Sequence, residues 1–439
     1  MLFLVVLALL TAVTPAPVDA AATVQEVLLR AKPAVALIVA EVTSEIRLRC
    51  AGGDGIATPP PFRETGTGWF VNPSGWLITN AHVVSAAHRP PEWLEAQQVQ
   101  KAGRPGCRVV DVKLQPSISV ILSNGFRLAA TIVKFSPPIV GEAMSGQDLA
   151  LLKVEAADMP SLALGDSDAV RIGDRVHILG FPGVVLSSEL LHAFATVESS
   201  VTNGGVSGFR RDRVGQPVVQ TDAPAALGNS GGPAIDHSGK VVGVLTFATL
   251  SGEQGTFVQG FNFIIPSRTV REFLHDTGVA LDEPSLFNRA WHLALTDFFA
   301  GNHHRAEAAF TEANRLLPEV PDIMRLTREN AEKIKNPPPR PFPWIVAASV
   351  TAGLSLAVLG GLASLRWKRS RFRITPAEVA RLFETLSDPP VILDVRDPEA
   401  YERSPIRIPN SLYVPPAVLA SGRTDLRFDY RRTVIAYCT

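Results

Sequence analysis

The chain has 439 residues, and its 42 Lys plus Arg balance 42 Asp plus Glu to a formal net charge of zero. Such a balance argues against the broad basic surface that nucleic-acid binding needs. A hydrophobic content of 46% with 19% charged residues describes folded material, and the length implies roughly two to four domains rather than one core.

From Met1 to Val13 the residues are nearly all Leu, Val and Ala, followed by Pro15, Pro17 and Ala20-Ala21-Ala22. The run is short for a membrane span, and Val18 and Ala20 stand where a signal peptidase reads. Residues 1–22 therefore read as a signal peptide. No Lys or Arg precedes the apolar run, which leaves an uncleaved anchor as the alternative.

From residue 23 to 281 the pattern is short strands between turn signals. Strands are expected at Ala34–Val39, Gly68–Val71, Trp76–Thr79, Ile118–Leu122, Leu149–Val154, Val176–Leu179 and Val241–Leu245. Asn72-Pro-Ser-Gly75, Ser123-Asn-Gly125 and Asp236-His-Ser-Gly239 carry turn chemistry. So many strands in one stretch suggest a closed all-β architecture. Ser85–Gln115 has poor periodicity and several prolines, and reads as a long surface insertion.

Residues 286–335 switch to helical periodicity. Leu293, Ala294, Phe298, Gly301, Ala306, Phe310, Ala313 and Pro318 match the spacing of one tetratricopeptide (TPR) motif. Two amphipathic helices joined at Ala300-Gly-Asn302 fit it, although Ala290 stands where Trp is common and Asp297 where Tyr is common. A single repeat cannot bury its own face, so it should pack on the following helix or on the β domain. An ordinary helical hairpin is the plainer reading of the same spacing. Residues 336–343, Asn-Pro-Pro-Pro-Arg-Pro-Phe-Pro, cannot be helical and read as a stiff extended spacer.

Trp344 to Leu365 contains no charged residue, and at about 1.5 Å per residue it is long enough to cross a bilayer. Arg366, Lys368, Arg369, Arg371 and Arg373 follow at once, against the sparser Lys333, Lys335 and Arg340 before it. That asymmetry puts the C-terminal side in the cytoplasm and the preceding domain outside it. The same topology sorts the cysteines. Cys50 and Cys107 fall where a disulfide forms readily, and Cys438 falls where thiols stay reduced. Beyond the span, Val379–Phe383 reads as amphipathic helix, and Val391–Arg396 and Thr433–Cys438 as strands.

The chemistry lies in three short motifs. Ala226-Leu-Gly-Asn-Ser-Gly-Gly-Pro233 sets Ser230 between glycines. A Ser that attacks a carbonyl must project from a tight turn, with nearby N–H groups aimed at the developing oxyanion, and glycines permit those backbone angles. Alone, the stretch is equally a glycine-rich hairpin. Thr79-Asn-Ala-His-Val-Val84 places His82 just after a strand, and Gly146-Gln-Asp-Leu-Ala-Leu-Leu152 places Asp148 just before one. The order His, Asp, Ser is that of chymotrypsin-like double barrels. His88, His177, His192, His237 and His275 lack a matching context and read as structural.

Five motifs in order resemble the HtrA (Deg) branch of trypsin-like serine proteases. They are Gly66-Thr-Gly-Trp-Phe-Val71 with Gly75–Val84, Asp148–Lys153, Thr221-Asp-Ala223, Gly228–Pro233 and Gly260-Phe-Asn-Phe-Ile-Ile-Pro266. The resemblance implies two six-stranded β-barrels with the active site in the cleft between them. It implies Ser230 as nucleophile, His82 as general base and Asp148 as the residue that orients the imidazole. The N–H groups of Gly228 and Ser230 would form the oxyanion hole. Asn229 stands where proteases activated by N-terminal cleavage carry Asp, which leaves loop ordering as the control. Pro224, Ala226 and Leu227 would line one wall of the substrate pocket, and Thr246, Phe247 and Ala248 another. No charge appears there, so a small or medium apolar side chain is expected before the cut. Two features depart from the family pattern: Ala226-Leu227 replaces a common Asn-Pro, and TPR-like helices stand where a PDZ segment is common.

Residues 372–439 resemble a rhodanese domain through Ile392-Leu-Asp-Val-Arg-Asp-Pro-Glu-Ala-Tyr401, Ile406-Arg-Ile-Pro-Asn-Ser411 and Val434-Ile-Ala-Tyr-Cys438. Cys438 would be the sulfur carrier. Only Thr439 follows it, so neither the anion cradle nor its closing Arg is present, and no sulfurtransferase activity is expected of this form. The sequence thus reads as a membrane-tethered endopeptidase with no cofactor. Its expected partners are polypeptide substrates, the membrane, a protein ligand of the helices and further copies of itself. A non-catalytic, client-binding barrel is the competing reading.

Overall fold

A computed structural model describes residues 22–137, 146–186, 198–212, 214–251, 256–337, 344–422, 429 and 431–438. The expected signal peptide apart from Ala22, most of the proline spacer, and Thr439 lie outside these residues. The chain divides into two compact units, Met1–Pro338 and Pro339–Thr439.

In the first unit, strands β1 (Val35–Cys50), β3 (Phe62–Asn72), β4 (Trp76–Thr79), β7 (Leu149–Val154), β6 (Arg127–Ser136) and β5 (Cys107–Ile121) pair in that order. Pairing of β5 back onto β1 closes a six-stranded barrel, and β2 (Gly53–Ala57) adds to the outer half of β1. A second closed barrel runs β10 (Pro217–Thr221), β13 (Thr256–Pro266), β12 (Val241–Ser251), β11 (Pro233–Ile235), β8 (Arg175–Gly180) and β9 (Ser200–Arg211). The first six residues of β1 are all buried because both faces are covered. Ala36, Ile38 and Ala40 fill the first barrel. Val35, Leu37 and Val39 join Trp69, Leu149, Leu179, Phe181 and Val244 in a layer shared by both barrels. That layer fixes the barrels against each other beneath the candidate site.

The segment Ser85–Gln115 is not an irregular insertion. It holds the end of a helix at Ala81–His88, a second helix at Glu92–Ala102 and the outer half of β5. That outer half extends beyond the barrel alongside β1, and the helix covers one face of the extension through Ala102 and Val99 against Ile46 and Leu48. Cys50 and Cys107 face each other across β1 and β5 and are joined in a disulfide.

Three helices follow the barrels, Leu286–Phe299, His303–Leu316 and Pro321–Lys335. Ser285 caps the first through the Asn288 N–H. Their apolar stripe, with Phe287, Trp291, Leu295, Phe298, Phe310, Ile323 and Leu326, joins the core of the first barrel. Trp291 Nε1 donates to Leu29 O at 2.7 Å, in the helix Val24–Ala31. The helical segment therefore buries its face both internally and on the β domain.

The second unit opens with a 27-residue helix, Trp344–Ser370, with no buried residue and a mean hydropathy of 2.0 in its most apolar window. After it come helix Pro376–Thr385 and a parallel sheet ordered β15 (Leu412–Tyr413), β14 (Val391–Asp394), β16 (Val434–Tyr437). Arg396 and Asp394 form a buried ion pair at 2.6 Å, and Tyr437 Oη also donates to Asp394. Cys438 is an exposed free thiol.

Candidate active site

His82 is the second residue of helix Ala81–His88, which begins immediately after β4. Its position lets the helix N-terminus face Asp148, just before β7. The carboxylate of Asp148 accepts the His82 backbone N–H (3.0 Å) and lies 2.9 and 3.1 Å from His82 Nδ1. Thr246 Oγ1 donates to the same carboxylate at 2.6 Å, from β12 of the other barrel. Asn80 Nδ2 donates to the Asp148 carbonyl at 2.8 Å. Asp148 is only 6% exposed and has φ +53°, a left-handed conformation that few non-glycine residues adopt. These contacts hold it there. With Nδ1 bound to a carboxylate, the ring nitrogen left with a free lone pair is Nε2.

The charges act on His82 in opposite directions. Burial disfavours its imidazolium, but the hydrogen bond and charge of Asp148, with the charge of Glu64 beyond, outweigh it, and His82 titrates above the ordinary histidine value. Burial in turn raises Glu64, against a smaller lowering by His82.

Ser230 approaches from the second barrel, on the loop before β11. Two positive-φ glycines, Gly228 (+94°) and Gly231 (+86°), shape it. A Cβ at Gly228 would lie 2.3 Å from Phe181 O, so only glycine fits. The loop carbonyls are held: Leu227 O accepts Gly183 N–H at 2.6 Å and Asn229 O accepts Gly232 N–H at 2.9 Å. In a trans peptide the next N–H points the opposite way, so these bonds turn Gly228 N–H and Ser230 N–H away from the loop. Among the described residues, neither of those two N–H groups has a protein acceptor. The Ser230 hydroxyl donates to Thr246 O at 3.2 Å rather than to His82. Thr246 thus touches Asp148 with its side chain and Ser230 with its carbonyl. Asn229 is buried.

The expected pocket residues are arranged unevenly. Pro224 and Leu227 are exposed, Leu227 at 68%, and Ala226 is half-buried. The Thr246 side chain faces Asp148 rather than a pocket, because the hydroxyl is taken by that carboxylate. Phe247 and Ala248 lie on β12 opposite Phe263 and Asn262, and their side chains lie outside the described part. Cys438 belongs to the second unit. Glu64, Asn80 and the contact of Thr246 with Asp148 were not singled out from the sequence. Asn80 sits within the His82 motif and was findable, whereas Glu64 lies outside every motif. No group of three or more potential metal ligands occurs among the described residues.

Two closed six-stranded barrels, with the His82–Asp148 pair on one and the glycine-framed Ser230 on the other, fit a chymotrypsin-like double barrel. Residues 66–244 match the trypsin-like peptidase domain family. The probable periplasmic serine endoprotease DegP-like of Chlamydia pneumoniae is 30% identical over 206 residues, 46% of this chain and 32% of that protein. Human serine protease HTRA4 is 31% identical over 211 residues, 48% of this chain and 34% of that protein. The chain therefore spans about a third of the length of these relatives. A solved HtrA-type protease, AlgW with a decapeptide, aligns with a TM-score of 0.38 at 24% identity, covering 58% of this chain and 67% of that one. The first unit of the chain thus carries a trypsin-like serine peptidase domain, and its matched relatives are DegP-like and HTRA serine proteases.

Proposed function

We propose that the chain is a membrane-tethered serine endopeptidase that cuts unfolded or partly folded polypeptides on the exported side of a membrane. Ser230 Oγ attacks the scissile carbonyl carbon while His82 Nε2 takes its proton. The resulting imidazolium is stabilised by Asp148 and gives the proton to the leaving amine as the C–N bond breaks. Water, deprotonated by the same imidazole, then attacks the acyl carbon, and the imidazolium returns the proton to Ser230 Oγ as the ester C–O bond breaks. The Gly228 and Ser230 N–H groups receive the oxyanion. The observation that carries this reading is the buried Asp148 carboxylate bound at once to His82 Nδ1 and to Thr246 Oγ1. Catalytic hydrogen bonds are commonly completed only with substrate in place, and Ser230 meets that description. The test is casein digestion by wild type and Ser230→Ala. Loss of digestion in the variant supports the assignment, and equal activity refutes it.

The domain limits we assign are 23–281 for the protease, 286–335 for a TPR-like segment, 336–343 for a spacer, 344–365 for a membrane span and 372–439 for a rhodanese-like domain, after a signal peptide at 1–22. Tethering is supported by the uncharged stretch of helix Trp344–Ser370 and by the basic residues at its end. Exported placement of the barrels is supported by the Cys50–Cys107 disulfide, which a reducing cytosol disfavours. The three packed helices support a TPR-like reading, and the parallel sheet with its Asp394–Arg396 pair supports a rhodanese-like one. Specificity for a small apolar residue is supported by the uncharged Pro224, Ala226 and Leu227, with Thr246 contributing backbone rather than side chain.

A further inference from the structure

The geometry points to Thr67 as the residue that positions the oxyanion loop from the opposite barrel, a role that rests on reading Ser230 as the nucleophile. Thr67 lies on β3 of the first barrel and is fully buried. Its hydroxyl and its N–H bond outside that barrel. Thr67 Oγ1 donates to Gly228 O at 2.7 Å and accepts from Phe181 N–H at 3.0 Å. Its backbone N–H donates to Ser230 O at 2.8 Å. Its own carbonyl accepts from Thr79 Oγ1 at 2.7 Å, three residues before His82. One residue thus holds the two carbonyls that flank Asn229 and ties them to β4, the strand that leads into the His82 helix.

The spacing is tight enough to dictate sequence. A Cβ on Gly231 would stand 2.1 Å from Thr67 O, so the glycine after Ser230 is required by the approach of Thr67 itself. Each polar atom of Thr67 is used, and the hydroxyl bonds are consistent in sense: Phe181 N–H donates to it, so its single proton goes to Gly228 O. A hydroxyl held merely for burial has no need to span two barrels.

The consequence concerns Gly228. Glycine has no Cβ to restrict rotation, so the Gly228–Asn229 peptide stays put only while its carbonyl is held. That peptide is joined through the Gly228 Cα to the Leu227–Gly228 peptide, so if its carbonyl swings, the Cα shifts and carries the Gly228 N–H away from the position an oxyanion will occupy. Oxyanion donors must lie about 2.7–3.1 Å from that position. The effect belongs to the transition state, because the ground-state carbonyl is bound chiefly by the rest of the cleft.

Thr67→Val keeps the shape and removes the hydroxyl. Thr67→Ser keeps the hydroxyl and removes a methyl. Both would be prepared in the full chain, with active sites titrated by a fluorophosphonate so that rates refer to folded, reactive molecules. For a peptide substrate, kcat of Thr67→Val should fall about 100-fold with KM nearly unchanged. Its affinity for a peptide boronate, which mimics the tetrahedral intermediate, should fall by the same factor as kcat/KM. Thr67→Ser should restore kcat to within about threefold of wild type, since the hydrogen bonds remain. Wild-type kcat in Thr67→Val overturns the inference. So does a loss that Thr67→Ser does not repair, or a loss of kcat with boronate affinity intact. Absence of fluorophosphonate labelling in wild type overturns the reading of Ser230 itself, and the role of Thr67 with it.

Discussion

The two barrels bring unequal halves to the site. The first supplies His82 and Asp148 already joined, with the carboxylate bound by the His82 backbone and ring and the Asp148 main-chain carbonyl held by Asn80. The second supplies a loop whose form depends on Gly228 and Gly231 and whose hydroxyl rests on Thr246 O. The acid–base half is held chiefly by bonds within its own barrel, whereas the nucleophile loop has carbonyls held from outside it by Thr67 and Gly183. Thr246 joins them, since its side chain reaches Asp148 while its carbonyl reaches Ser230. The lesson is that a rigid base can be built locally, while an oxyanion loop needs contacts from outside itself.

Three substitutions break or sharpen that contrast. The largest effect belongs to Asp148→Asn, which leaves the shape but offers an amide to His82 Nδ1 and so favours the wrong tautomer. A loss in kcat of about 10⁴-fold is expected from steady-state kinetics on a peptide substrate. A loss below tenfold would mean that the pair does not organise the base. Thr246→Val is next. It removes one hydrogen bond to the carboxylate, worth roughly 1.5–3 kcal/mol to a charged acceptor, and leaves the carbonyl that Ser230 uses. A fall in kcat of about tenfold is the expected result, and an unchanged rate would show that the two halves are not linked there.

The smallest effect concerns pH. The His82 proton is held more tightly than in an ordinary histidine, because Asp148 and Glu64 outweigh burial. The base is therefore still protonated, and idle, at pH values where a free imidazole (about 6.5) is already half neutral. The acid limb of kcat/KM should lie above that value. Glu64→Gln removes one of the raising charges, so the limb should move to lower pH with the plateau rate unchanged. A limb that stays in place would remove Glu64 from the electrostatics of the site.

Much of this was legible in local patterns. The turn at Asn72–Gly75, the buried start of β1 and the contexts of His82, Asp148 and Ser230 are short-range signals, and the barrels close around them. Ser85–Gln115 was not legible for a physical reason. Helix Glu92–Ala102 buries only Leu94, Gln98 and Ala102, and the outer half of β5 is mostly exposed, so neither shows an apolar period. The bonds of Thr67 to Gly228 and of Thr246 to Asp148 cross 161 and 98 residues. No window of sequence contains both partners, and the direction of the Thr246 side chain depends on strand register.

The most direct test of the central claim, that Ser230 is a nucleophile activated by His82 and Asp148, is covalent labelling by a fluorophosphonate, with the adduct mapped by mass spectrometry. The account predicts a single adduct on Ser230, absent in Ser230→Ala and slowed by orders of magnitude in His82→Ala. Labelling that persists in Ser230→Ala, or a rate on Ser230 indifferent to His82, would contradict it.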